Sequence, residues 1–161
     1  IPDDITAVED FEIKRYLGTW YEIARLDHSF ERGLSHVRAT YILREDGGID
    51  VVNRGFNRER GEWEVAHGKA YFVTDPNIGR LKVSFFGPFY GAYNIIALDK
   101  ENYSYSMVCG PNRSYLWILA RDKQLQERIL TRLIASAGNL CFEVAELIFV
   151  DHGDIHAAQR P

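Results

Sequence analysis

The sequence predicts an all-β chain: an eight-stranded antiparallel up-and-down barrel with one C-terminal α-helix and a short ninth strand. Three observations predict it. Segments rich in Val, Ile, Tyr, Phe and Thr recur with turn signals every roughly 8–12 residues, the spacing of a sandwich or a barrel. All five prolines stand outside the strong apolar runs, so they punctuate strands rather than interrupt them. The hydrophobic period changes only after Arg121, from alternation to helical spacing. An eight-stranded meander removes its edges by closing on itself, and eight strands enclose room for packed side chains or one small ligand.

The predicted strands are Thr19–Asp27, His36–Arg44, Ile49–Asn57, Glu62–Val73, Arg80–Phe86, Ala92–Asp99, Tyr103–Cys109 and Ser114–Arg121. Asp46, Gly47 and Gly48 form the clearest hairpin turn, because these residues tolerate the positive φ that matches strand twist. After Arg121, Leu125, Ile129, Leu133, Ile134 and Ala137 fall on one helical face, with Asp122 as the expected N-cap and Gly138 as the stop. A last apolar run, Leu147–Val150, reads as the closing strand. The chain is therefore one domain, 1–161, with its core over about 11–150 and a polar, frayed tail over 151–161.

Composition bounds the function. The 161 residues are 46% hydrophobic and 26% charged, enough to bury one core. A formal charge of −4 gives no general attraction for nucleic acid. Cys109 and Cys141 cannot make a four-thiolate zinc site, and they read as two buried thiols or one disulfide. No nucleophile elbow, phosphate loop, dinucleotide fingerprint or zincin helix occurs. His152 and His156 stand four apart beside Asp151 and Asp154, but without helical periodicity they read as solvated tail rather than metal site. Asp27 and His28 are adjacent, so a shared acid-base site would need a bend. No cofactor site is read, and self-association into a homodimer is left open. The chain opens at Ile1 rather than Met, from which we expect a removed leader.

Near the N-terminus, Gly18-Thr19-Trp20-Tyr21-Glu22 follows a short helical segment, Phe11–Leu17. Asp99 and Tyr103 lie in the turn between strands six and seven, and Arg121 ends strand eight. These three markers, in this order, resemble the lipocalin signature. The stretches Gly68–Phe72, Lys82–Gly91, Val108–Pro111 and Tyr115–Arg121 are similar to the bacterial outer-membrane lipocalins in particular. The resemblance implies a barrel for small apolar molecules, an Arg121 guanidinium lying over Trp20 at the closed end, and Tyr41, Asn53 and Trp117 at the pocket. It also implies a lipoprotein of the outer membrane facing the periplasm, associated with fatty acids or lysophospholipids. No lipidated N-terminal Cys is present here, so anchoring is inferred through a segment absent from this chain.

Alternation assigns the interior. If Arg121 reaches inward, Leu119, Trp117 and Tyr115 share its face. Leu81, Val83 and Phe85 turn inward opposite Lys82 and Ser84; Val37, Ala39, Tyr41 and Leu43 turn inward in strand two. Gly68, Ala70 and Phe72 follow in strand four, the two small residues leaving room. Asn53 needs a hydrogen-bond partner inside, from protein, water or ligand. Phe89 completes the expected ligand set. Topology puts the connections near 28–35, 58–61, 87–91 and 110–113 at the open end. These carry Arg32, Arg58, Arg60 and Arg113 against Glu31 and Glu59, with Phe30, Phe89 and Tyr90, so a basic, aromatic mouth for an anionic lipid or membrane surface is expected.

The function expected is non-enzymatic carriage of a long-chain fatty acid or lysophospholipid, acyl chain inside and headgroup at the mouth. A lipid-acting enzyme with Cys109 as nucleophile is one alternative, weakened because no His falls in the assigned pocket. A haem or pigment carrier is the other, and the lack of an inward His argues against axial ligation.

Overall fold

In the computed structural model, residues 1–153 are described. A short helix, α1 (Ile13–Tyr16), leads into eight strands: β1 (Gly18–Arg25), β2 (Leu34–Leu43), β3 (Ile49–Asn57), β4 (Glu62–Phe72), β5 (Arg80–Phe86), β6 (Phe89–Leu98), β7 (Tyr105–Cys109) and β8 (Leu116–Ala120). Helix α2 (Glu127–Asn139) and strand β9 (Ile148–Phe149) follow. From β1 to β8 each strand pairs antiparallel with the next, and β1 pairs with both β2 and β8, which closes the barrel. The up-and-down order is the one expected from the sequence.

Strand β1 serves two neighbours on one edge. Its first half, Gly18 to Tyr21, pairs with β2, and its end, Ala24 and Arg25, pairs with β9. Strand β2 peels away there through an irregularity between Ser35 and Arg38, where His36 adopts a positive φ of 55°. The backbone after β9 fills the gap: Val150 N–H donates to the Ile23 carbonyl, His36 N–H donates to the Asp151 carbonyl, and His152 Nε2 donates to the Glu22 carbonyl. Residues 151–153 are thus strapped to the outer wall rather than frayed, and burial lowers the His152 imidazole's proton affinity. His156 and Asp154 lie outside the described residues.

Two apolar layers result, one on each side of the wall. Inside, Trp20, Tyr41, Ile49, Val51, Leu81, Ile95, Val108 and Leu119 pack the closed half. Outside, Met107, Cys109, Leu116, Ile118 and Ala120 lie beneath Leu133 and Ala137 of α2. The helix starts later than expected: Asp122 lies outside it, and Gln126 holds the N-cap position without a side-chain hydrogen bond. It runs one residue past Gly138, and the left-handed residue beyond its end is Cys141 at φ 69°. Burial against the barrel sets these ends more strongly than capping chemistry.

Candidate functional site

The closed end is built on Trp20. Its indole is fully buried, donates from Nε1 to the Tyr16 carbonyl at 2.8 Å, and lies 4.0 Å from the Arg121 guanidinium carbon stacked on its ring. Arg121 also donates to the carbonyls of Tyr103, Thr19 and Arg15. Gly18 is required at its position, because φ is +99° and a Cβ would sit 3.3 Å from Arg121 Nη1. The Asp99 carboxylate accepts from the amides of Asn102 and Ser104, which folds the β6–β7 turn and places Tyr103 at a positive φ of 50°. Those bonds outweigh the burial that would raise the Asp99 pKa, and hold it below the usual value. Gly18, Trp20, Asp99, Tyr103 and Arg121 therefore form one structural plug.

Above the plug sits a hydroxyl floor. Tyr93 Oη shares hydrogen bonds with Tyr16 and Tyr41, each at 2.8 Å, and Tyr16 Oη meets Ser106 Oγ at 3.1 Å. Burial pushes the Tyr16 hydroxyl up to about 12 and those of Tyr41 and Tyr93 well above the ordinary value, so the floor is uncharged.

Toward the other end the interior opens. Along β3 the inward side chains pass from buried Ile49 and Val51 to half-exposed Asn53; along β5, from buried Leu81 to half-exposed Val83 and Phe85. Along β8 they pass from buried Leu119 to half-exposed Trp117, on whose ring that of half-exposed Tyr115, just before the strand, stacks at 6.2 Å. Ala70 and Phe72 face the same interior from β4. Tyr41 lies at the floor. The wall also parts on one side, because β4 pairs with β5 only from Lys69 to Phe72 and its mouth-side half, Glu62 to Gly68, pairs with β3 alone.

Several expected placements change. Phe89 does not line the interior: it is 77% exposed at the tip of the Gly87-Pro88 turn, opposite Phe86 at 70%. Tyr90 lies under the Lys82 ammonium at 4.9 Å, on the outer wall rather than in the mouth. Leu43 is exposed where β2 ends. The room expected at Gly68 is filled by the Phe85 ring, which a Cβ would approach to 2.7 Å, while Ser84 is buried beside it and donates to the Gly87 carbonyl. The positive excess at the mouth is largely neutralised. Arg32 pairs with Asp27 at 3.0 Å, Arg58 with Asp151, and Arg113 with Asp4 at 2.6 Å. Asp4 and Asp151 come from distant segments, which loop counting omitted. Arg60 sits exposed in the β3–β4 turn, its amide donating to Asn57 Oδ1.

Sequence reasoning missed a buried charged group on the β1 side of the interior. Between Glu22 and Ala24 the register against β8 shifts by one, so Glu22 faces Leu119 and Arg25 faces Trp117, both inward. Arg25 Nη1 donates to Glu22 Oε1 at 3.2 Å, and its Nη2 donates to the Glu31 and Leu34 carbonyls. His28 is also inward, its ring 5.4 Å from that of Trp117. Burial, then the facing Glu31 charge, raises the Glu22 pKa well above the glutamate range. Burial pushes Glu31 the same way, but the polar side chains of His28 and Glu22 close by and the Arg25 charge outweigh it and hold Glu31 below the ordinary glutamate value. The inference that no His enters the pocket is therefore corrected. Asp27 points outward to Arg32, so it forms no acid-base pair with His28.

Cys109 and Cys141 are both free thiols. Cys109 is buried beneath α2, outside the barrel wall, and burial pushes its thiol up. Cys141 is exposed.

Comparison with known proteins agrees with this geometry. The lipocalin-like domain family matches residues 11–152. The outer membrane lipoprotein Blc of Citrobacter freundii is 56% identical over 149 residues, covering 92% of this chain and 84% of that protein. Its counterpart in Vibrio cholerae is 55% identical, covering 93% and 88%. Bovine apolipoprotein D is 33% identical, covering 89% and 78%. The solved structure of insecticyanin from the tobacco hornworm superposes with a TM-score of 0.78 at 21% identity, covering 98% and 88%, a likeness of fold. With the Trp20–Arg121 plug, the closed sheet and a family match over most of its length, the chain belongs to the lipocalin-like family.

Proposed function

We propose that this protein is a non-enzymatic carrier that holds a long-chain fatty acid or a lysophospholipid in its barrel. One observation carries the reading: the closed half of the interior is sealed, whereas the same strands become half-exposed and remain apolar or aromatic toward the mouth, at Val83, Phe85, Tyr115 and Trp117. An acyl chain burying about fifteen methylenes there gains roughly 12 kcal/mol gross, and association costs leave micromolar to nanomolar affinity. Asn53, half-buried on the same face, offers an amide to a polar group of the ligand. The lipid-acting enzyme loses its expected nucleophile, because Cys109 lies under α2 rather than in the interior.

The relatives' name, outer membrane lipoprotein, supports a place in the cell envelope. We extend this to an outer-membrane site facing the periplasm with anchoring upstream of Ile1. Phe30, Phe86 and Phe89, each at least 70% exposed around the mouth, would rest on the lipid surface.

Tryptophan fluorescence tests the carrier. Trp20 is sealed in the plug, and Trp63 lies on the outer wall against the Arg54 guanidinium at 4.4 Å. Palmitate or lysophosphatidylcholine should therefore change the emission through Trp117, and Trp117→Phe should abolish the change. No binding by mass spectrometry of the native protein with either lipid would overturn the reading.

A further inference from the structure

The charged group on the β1 side is unusual for an apolar container. Arg25, His28 and Glu31 have side chains only 3%, 8% and 14% exposed, walled in by the β1–β2 connection. Arg25 Nε, both ring nitrogens of His28 and Glu31 Oε2 lack a hydrogen-bond partner. The contacts that exist are loose: Arg25 Nε stands 3.6 Å and His28 Nε2 3.7 Å from the same Glu31 oxygen. Buried donors left this incompletely satisfied cost more than exposed ones, and a native structure that keeps them calls for a reason.

We propose that Arg25 and His28 form an internal site for the anionic headgroup of the bound lipid, a carboxylate or a phosphate, and that Glu31 is the displaceable counter-ion that holds this site between ligands. The inference rests on the carrier reading and deepens it, because it moves the headgroup from the solvent at the mouth to a buried position beside Trp117.

Geometry supports the exchange. Glu31 reaches Arg25 from a connection, residues 26–33, rather than from the sheet, and the loop carrying it includes Gly33 at φ 83°. Arg25 Nη2 keeps the loop backbone through the Glu31 and Leu34 carbonyls, so the Glu31 carboxylate can swing away while the loop stays attached. The unpartnered Arg25 Nε–H and a ring N–H of the unpartnered His28, which already stand about the same distance from one Glu31 oxygen, offer one donor each to a two-oxygen anion, which fits carboxylate and phosphate alike. Glu22 is occupied on the other side of the guanidinium, accepting from Arg25 Nη1 at 3.2 Å, which leaves the Nε side for the headgroup.

The test compares three ligands of one chain length, palmitate, palmitoyl lysophosphatidic acid and hexadecanol, on the unaltered protein and on Glu31→Gln. Removing the internal anion should tighten both anionic ligands roughly tenfold relative to hexadecanol, the scale of one charge-assisted hydrogen bond. A ratio of anionic to neutral affinity that stays within about twofold overturns the site. If Glu31→Gln does not fold, palmitate labelled with carbon-13 at the carboxyl decides the matter on the unaltered protein. A resonance that titrates below the ordinary carboxylate range supports a headgroup against Arg25; one that titrates within that range places it in water and overturns the proposal. Inorganic phosphate is the control for a free anion: failure to displace palmitate supports a lipid headgroup, and displacement overturns that assignment. Equal, normal binding of all three lipids would sink the headgroup site while leaving the carrier intact, whereas no binding by any of them would sink the carrier.

Discussion

Arg121 shows how much one side chain can hold. Its guanidinium covers Trp20 at 4.0 Å and donates to three carbonyls, from α1's last turn, β1 and the β6–β7 turn. A cation over an indole contributes about 0.5–2 kcal/mol and each net hydrogen bond about 1 kcal/mol. Partial solvent access discounts that sum, so Arg121→Ala should cost roughly 2–3 kcal/mol by urea unfolding. Arg121→Lys should recover less than half of the loss, because an ammonium cannot span three carbonyls while stacking. Equal stability of the lysine variant would show that charge alone, not the planar fork, closes this end. The residues of this plug were legible through their resemblance to the lipocalin signature; Phe89 and Tyr90 were not, since aromatic character says nothing about which side of a wall a ring takes.

At the scale of elements, the β5–β6 hairpin is the piece whose chemistry faces outward. The Gly87-Pro88 turn holds Phe86 and Phe89 in register at its tip, and neither packs in either apolar layer. Exposed phenylalanines cost little stability to replace but contribute to partition into an interface. The double substitution of Phe86 and Phe89 to Ser should weaken binding to phosphatidylglycerol vesicles severalfold in flotation while leaving the melting temperature within about 2 °C. Because Arg32, Arg58 and Arg113 are already paired with carboxylates, raising salt should weaken vesicle binding less than this double substitution does. A steep salt dependence with no effect of the double variant would restore the basic rim as the docking surface. Loop sorting by topology located the mouth; it misjudged the charge because ion pairs recruited Asp4 and Asp151 from segments remote in sequence.

For the whole molecule, the buried carboxyl pair makes stability depend on pH. Glu22 has a folded pKa raised above its unfolded value, so its contribution is fully present below the ordinary glutamate range and is lost as pH rises through the raised value. Glu31, held below its ordinary value, contributes the opposite way: its stabilisation is present above the unfolded pKa and lost as pH falls through the folded one. The pair titrates together, with most of the alkaline loss following Glu22. Urea unfolding from about pH 5 to about pH 9 should show declining stability in the unaltered protein and a flatter profile in Glu22→Gln, which keeps a donor without a titrating proton. Parallel profiles would mean that another group governs the decline.

Period-two patterning, turn chemistry and one change to helical period determined by themselves that this chain is a closed eight-stranded barrel with an outer helix, and strand parity placed Val83, Phe85, Ala70 and Phe72 inside, with Trp117 and Leu119 following once the resemblance turned Arg121 inward. These follow from local rules that a strand obeys wherever it lies. Only the tertiary structure decided that Arg25, His28 and Glu31 converge within the barrel. One register shift between Glu22 and Ala24 breaks the alternation that would send Arg25 outward, and the loop folds back to bring Glu31 onto it. The shift is fixed by how β1 meets β8, and that pairing joins residues about a hundred positions apart, beyond the reach of any local pattern.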